Sequence, residues 1–199
     1  NIGTIFQDQG QYEKAMDHFT KSLKIQEEMG NKMGIAAAFT NIGCIFQFQG
    51  DYGKAIDYHM KSLKIQEEMG DNSAIAVSLN NIGVTYIDLG DYDKSMDYGK
   101  RSLAIAQEID YTSQIRYAAQ LLWKVNKKLG KYKESLEMYE LYIAARDSLV
   151  SEDNQKATIR QEYKYAYEKQ AAADSVKVAE AGKVKDALLV AEKAENKQH

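Results

Sequence analysis

A period of 40 residues constrains this chain more than any single motif does, because a fixed repeat decides an architecture before individual residues are weighed. Residues 1–40 open NIGTIFQDQGQYEKA, residues 41–80 open NIGCIFQFQGDYGKA, and residues 81–120 open NIGVTYIDLGDYDKS. The first two units match at 24 of 40 positions and the next two at 15, so duplication is plain, while LLWKVNKKLGKYKES from residue 121 has drifted. Each unit holds two amphipathic helices. In the second, Ile35, Phe39, Ile42, Gly43 and Phe46 form one apolar stripe at helical spacing, and Tyr52, Ala55, Ile56, His59, Ser62, Leu63 and Met69 form the next. Gly50-Asp51 and Gly70-Asp71 pair a left-handed C-terminal cap with a carboxylate able to accept the next helix's orphan N–H groups. Small residues at Gly43, Ala55 and Ser62, and one period away at Gly83, Ser95 and Ser102, let paired backbones approach closely. No unit can bury its stripe alone, so neighbours must stack.

Composition narrows the classes. Proline is absent, which excludes Pro-rich linkers and collagen-like chains and favours long helices. With 26 Lys and Arg against 29 Asp and Glu, the net charge of −3 lacks the basic excess of a nucleic-acid binder. The single cysteine, Cys44, cannot form an internal disulfide and leaves the redox compartment open. No apolar run approaches the roughly 18–20 residues that cross a bilayer. Asn1 aligns with Asn41 and Asn81, some way into a first helix, so at least one upstream unit is expected.

These residues resemble the tetratricopeptide repeat, a helix-turn-helix unit whose pattern falls here on Phe39, Ile42-Gly43, Phe46, Gly50-Asp51-Tyr52, Ala55, His59 and Ser62. The resemblance covers residues 1 to about 150 and implies an all-α, right-handed superhelical solenoid of helical hairpins with a long C-terminal helix. The expected units are 1–33 (truncated), 34–73, 74–113 and a degenerate 114–150, followed by a capping and projecting helix over 151–199. Four departures stand out. The family's usual proline is missing, and each unit exceeds the family's roughly 34 residues by about six. Gly99 replaces an aromatic and Trp123 replaces a small residue, so packing around the fourth unit must be rearranged.

Residues 151–154 (SEDN) read as a turn or N-cap. Beyond them Ile159, Tyr163, Ala166, Tyr167 and Gln170 keep helical spacing, and the stripe then thins to Ala173, Val176, Ala179, Val184, Ala187, Leu188 and Ala191. The near-identical units followed by this charged tail look like the sensor region of Bacteroidetes-type membrane histidine kinases or nucleotide cyclases. That resemblance implies a place on the periplasmic side of an inner membrane, with a membrane span following; a cytoplasmic location is the alternative. It also leaves two other roles open. The chain would be the accessory or dimerisation arm of an absent kinase or cyclase domain, or a structural array that forms a homodimer through its terminal helix.

No catalytic constellation is present: there is no nucleophile with its base, no phosphate-binding loop and no metal spacing among His18, His59, His199 and Cys44. The chain itself is therefore expected to be non-enzymatic, without cofactor or metal, and to bind neither nucleic acid nor membrane. His59 sits where the repeat usually places an aromatic and reads as core. The informative surface is the inner face of the first helices, suited to an extended peptide or partner helix. Asn41 and Asn81, with Asn1, form a candidate ladder of amides that could hold a peptide backbone; the alternative is a helix-capping role or mere duplication. Around them the groove should present Thr40, Cys44, Gln47 and Phe48 in unit two, and Asn80, Val84, Ile87 and Asp88 in unit three. The fourth unit supplies Lys124, Lys127 and Lys128, three ammonium groups attractive to a carboxylate. Phe48, an exposed aromatic, is the specificity candidate.

Overall fold

In the computed structural model, which describes the backbone of residues 2–195 and, beyond residue 155, the side chains of scattered positions only, every described element is an α-helix. They are α1 (Ile2–Asp8), α2 (Tyr12–Glu28), α3 (Lys32–Phe48), α4 (Tyr52–Met69), α5 (Asn72–Leu89), α6 (Tyr92–Glu108), α7 (Thr112–Lys128) and α8 (Tyr132–Glu195). From α1 to α7 each helix packs on the next, and α5 also touches α7, the arrangement of an all-α solenoid of hairpins. The chain divides into Asn1–Leu149 and Val150–His199. Asn1 and His199 lie outside the described residues, as do the side chains of the tail stripe from Ile159 to Ala191.

Turns recur every 20 residues. Gly10, Gly30, Gly50, Gly70, Gly90 and Gly130 all have positive φ, and the missing member of the series is Asp110, at φ 51°. Left-handed backbone strains most L-residues, and aspartate is among the few that tolerate it. Asn31, Asp51, Asp71 and Asp91 each cap the following helix, accepting a hydrogen bond from the backbone N–H three residues on. Asp51 and Asp91 also hold Lys54 and Lys94, whereas Asp71 serves the backbone of Ala74 at 3.0 Å and no ion pair is seen at it among the described residues. Asp71→Ala should therefore report the cap itself: a loss of about 1 kcal/mol in denaturant unfolding is expected, with Asp71→Asn close to neutral.

Packing between paired helices follows one rule with two exceptions. A glycine on the first helix faces a ring on the second: a Cβ on Gly3 would lie 2.6 Å from Phe19, and one on Gly43 would lie 2.7 Å from His59. In unit three both places are glycine, and Leu121 and Leu122 of α7 fill the space; a Cβ on Gly83 would meet Leu121 at 2.6 Å, and one on Gly99 would meet Leu122 at 2.9 Å. In unit four a ring replaces the glycine on the first helix and still faces rings on the second. Trp123 packs on Tyr139 and Tyr142, with ring centroids 4.9 and 6.0 Å away. Where small polar residues allow close approach, their hydroxyls also satisfy the opposite backbone, with Ser62 donating to the carbonyl of Ala36, Ser95 to Gly83 and Ser102 to Ala76.

Two sequence expectations fail. The SEDN segment is helical within α8 rather than a turn, since no proline or glycine interrupts it and Glu, Gln, Lys and Ala nearby favour the helix over the local cap preference of Ser, Asp and Asn. Met69, placed on an inner face, is 38% exposed, because it ends α4 beside the exposed Gly70 turn.

Candidate functional site

The 40-residue translation carries the first helices α3, α5 and α7 into register, so equivalent residues on them share a flank. Asn80, Val84, Ile87 and Asp88 of α5 meet Lys124 of α7 around a cavity of about 150 Å³. Tyr117, Gln120 and Leu121 complete it. The sequence reading missed these three, although Gln120 and Leu121 lie one period beyond Asn80 and Asn81 and simple translation would have found those two. An apolar cavity of about 150 Å³ holds one benzene-sized group, so this space suits a single side chain. Gln47 of α3 donates a 2.7 Å hydrogen bond to Asp88, joining units two and three across the same flank.

The candidate residues do not all face one way. Asn41 and Asn81 are half-buried, and neither side-chain amide makes a hydrogen bond among the described residues. Asn80 is buried, its Oδ1 enclosed and without a hydrogen-bond partner. The Thr40 hydroxyl lies 2.8 Å from Ser62 Oγ and 3.2 Å from the carbonyl of Ala36, so it serves the contact with α4 instead of the groove. Cys44 is half-buried, and that burial pushes its thiol pKa up, which disfavours the thiolate. Phe48 is exposed, yet its ring stacks on Tyr12 at 5.6 Å and 7°. The equivalent of the ladder position in unit four is Leu121, buried against Gly83 rather than presented as a third amide.

Electrostatically the α7 end is positive. Lys124, Lys127 and Lys128 are exposed and make no ion pair among the described residues, while the Arg116 guanidinium lies 4.2 Å over the ring of Tyr117. Lys127 and Lys128 stand in the last turn of α7, where the helix dipole favours cations. Among the described residues no group of three or more His, Cys, Asp or Glu side chains is placed to hold a metal ion, and no helix is long and apolar enough to cross a membrane. His18 stacks on Phe6 at 5.3 Å, and His59 is enclosed in the core.

Comparison with known proteins agrees with this architecture. The family model described as tetratricopeptide repeat matches residues 1–68, 35–108 and 74–148. Among solved structures, BtubC from P. vanneervenii is 21% identical with a TM-score of 0.67, over 74% of this chain and 61% of that one. Aspartyl phosphate phosphatase F from Bacillus subtilis is 19% identical with a TM-score of 0.71, over 74% of this chain but only 39% of that one. The tetratricopeptide repeat domain of Arabidopsis FLU is 19% identical with a TM-score of 0.54, over 57% of this chain and 95% of its own. At such identities the likeness establishes the fold. No curated protein sequence matches the chain. The chain belongs to the tetratricopeptide repeat family of protein-interaction domains.

Proposed function

We propose that the flank formed by α3, α5 and α7 binds an extended segment of a partner protein, with an acidic side chain or C-terminal carboxylate toward α7. The cavity shared by α5 and α7 carries this reading: it has the size of one side chain, apolar walls in Val84, Ile87 and Leu121, and Lys124 at its edge. Asn41 and Asn81 leave amides available for a peptide backbone. In this reading the chain is the sensing or scaffolding part of a bacterial signalling receptor on the periplasmic side of the inner membrane, which the resemblance of its repeats and charged tail supports. A compartment-reporting fusion in the host organism tests that placement, and reporter activity confined to the cytoplasm would overturn it.

Selection from a random peptide display library against the whole chain tests the groove directly. Binders enriched in acidic residues are expected, and Lys124→Glu, Lys127→Glu and Lys128→Glu together should weaken them at least tenfold while flattening their salt dependence. Binders unaffected by the triple change would place recognition elsewhere.

A further inference from the structure

Units one to three carry the same aromatic device. Phe6 stacks on His18, Phe46 on Tyr58 and Tyr86 on Tyr98, with centroids 5.3, 5.5 and 5.6 Å apart. Lys14, Lys54 and Lys94 place an ammonium 5.4, 5.2 and 5.1 Å from the first ring of each pair. One period on, the fourth unit has Asn126, Met138 and Glu134 at those three positions. Both rings and the lysine are gone.

A cavity of about 270 Å³ lies where those rings would be, lined by Asn126, Glu134 and Met138 together with Met96, Leu103 and Leu122. Its position follows from unit three, where the Tyr98 hydroxyl contacts Met60 Sδ at 3.8 Å; the counterpart of Met60 is Lys100, which lines this cavity. The volume exceeds the roughly 150 Å³ that holds benzene and falls short of the roughly 300 Å³ at which drug-sized pockets begin. It therefore has room for one ring and a substituent.

Asn126 decides the polarity. It is 5% exposed, lines the cavity, and its side-chain amide makes no hydrogen bond among the described residues. With no protein partner, the amide is free to donate to or accept from a group that enters the cavity. Lys100, Lys131, Glu134 and Glu137 surround the opening, two of each sign, so no net charge selects an ion.

We propose that this cavity is a binding site for a neutral aromatic ring bearing one hydroxyl or equivalent hydrogen-bonding group. The ring takes the volume of the missing stacked pair, Met96 and Met138 offer sulfur–aromatic contact, and the hydroxyl meets the Asn126 amide. The site is separate from the α5–α7 flank and does not depend on peptide binding there.

The test uses the whole chain, methyl-labelled at methionine, with p-cresol as probe. The Met96 and Met138 signals should shift saturably with a Kd on the order of 1 mM, and toluene should bind roughly tenfold more weakly. Refilling the space with N126Y and M138Y should abolish the Met96 response and raise the thermal midpoint. N126A, which keeps the cavity, should weaken p-cresol about tenfold, bringing it level with toluene, and this variant decides the matter where the refilled protein does not fold. N-acetyltyrosine amide separates the sources: its entry marks the site for a partner's side chain, and its exclusion beside p-cresol binding marks it for a free small aromatic. Absence of a saturable Met96 and Met138 response to p-cresol, or unchanged p-cresol affinity in N126A, would overturn the proposal.

Discussion

Lowering the pH from 6.5 to 4 is expected to remove about 3 kcal/mol of stability through His59 alone. The ring is fully enclosed against Gly43, with neither nitrogen hydrogen-bonded, and burial holds its pKa down at about 4 against an ordinary 6.5. Between those values the unfolded chain takes up a proton that the folded chain refuses. Stability is thus fully present above pH 6.5, declines through the window, and levels off below about 4. His59→Phe should flatten this part of the profile and match or exceed the parent at pH 7. Phe19 already occupies the same register against Gly3, so the pocket tolerates a phenyl ring, and no buried nitrogen is then left without a partner. Urea midpoints measured across pH for both proteins decide it, since carboxylates titrating in the same range are common to both. Parallel curves would mean that His59 is hydrated or paired in solution.

What could be read from sequence follows from what translation by 40 residues preserves. Helix ends were legible because Gly50-Asp51 and Gly70-Asp71 act locally, within four residues of backbone. The grouping of Val84, Ile87, Asp88 and Lys124 was legible because equivalent faces of α5 and α7 must align. Adjacent residues were harder. Thr40 and Asn41 are about 100° apart around a helix, and the sequence pattern alone does not set the rotation that turns Thr40 toward α4 and leaves Asn41 half-open. Phe48 was recognised as exposed, but its partner Tyr12 belongs to the preceding unit and is invisible to a reading made one unit at a time. The cavity at Asn126 needed the opposite step, a comparison of which rings the fourth unit had lost.

Gly99→Phe should destabilise the fold by about 1–3 kcal/mol, the usual range of overpacking effects, although it restores the aromatic that the repeat pattern favours. Leu122 Cδ2 lies 2.9 Å and Leu121 Cδ2 3.1 Å from where its Cβ would stand, and both leucines are 2% exposed, so a ring here must push them out of the contacts they now make. Leu121→Ala alone should also destabilise, by about 2–5 kcal/mol, because it empties the hollow between Gly83 and Gly99. Combined, the two changes should cost less than their sum by about 1–3 kcal/mol, since the new ring occupies the volume the leucine vacates. Denaturant unfolding of the parent, both single variants and the double variant measures this coupling, and additivity within about 0.5 kcal/mol would show that the two positions do not share one space. The coupling bears on recognition as well as stability. Position 121 continues the series of Asn41 and Asn81, and its leucine, packed against Gly83 and Gly99, brings no amide to the groove.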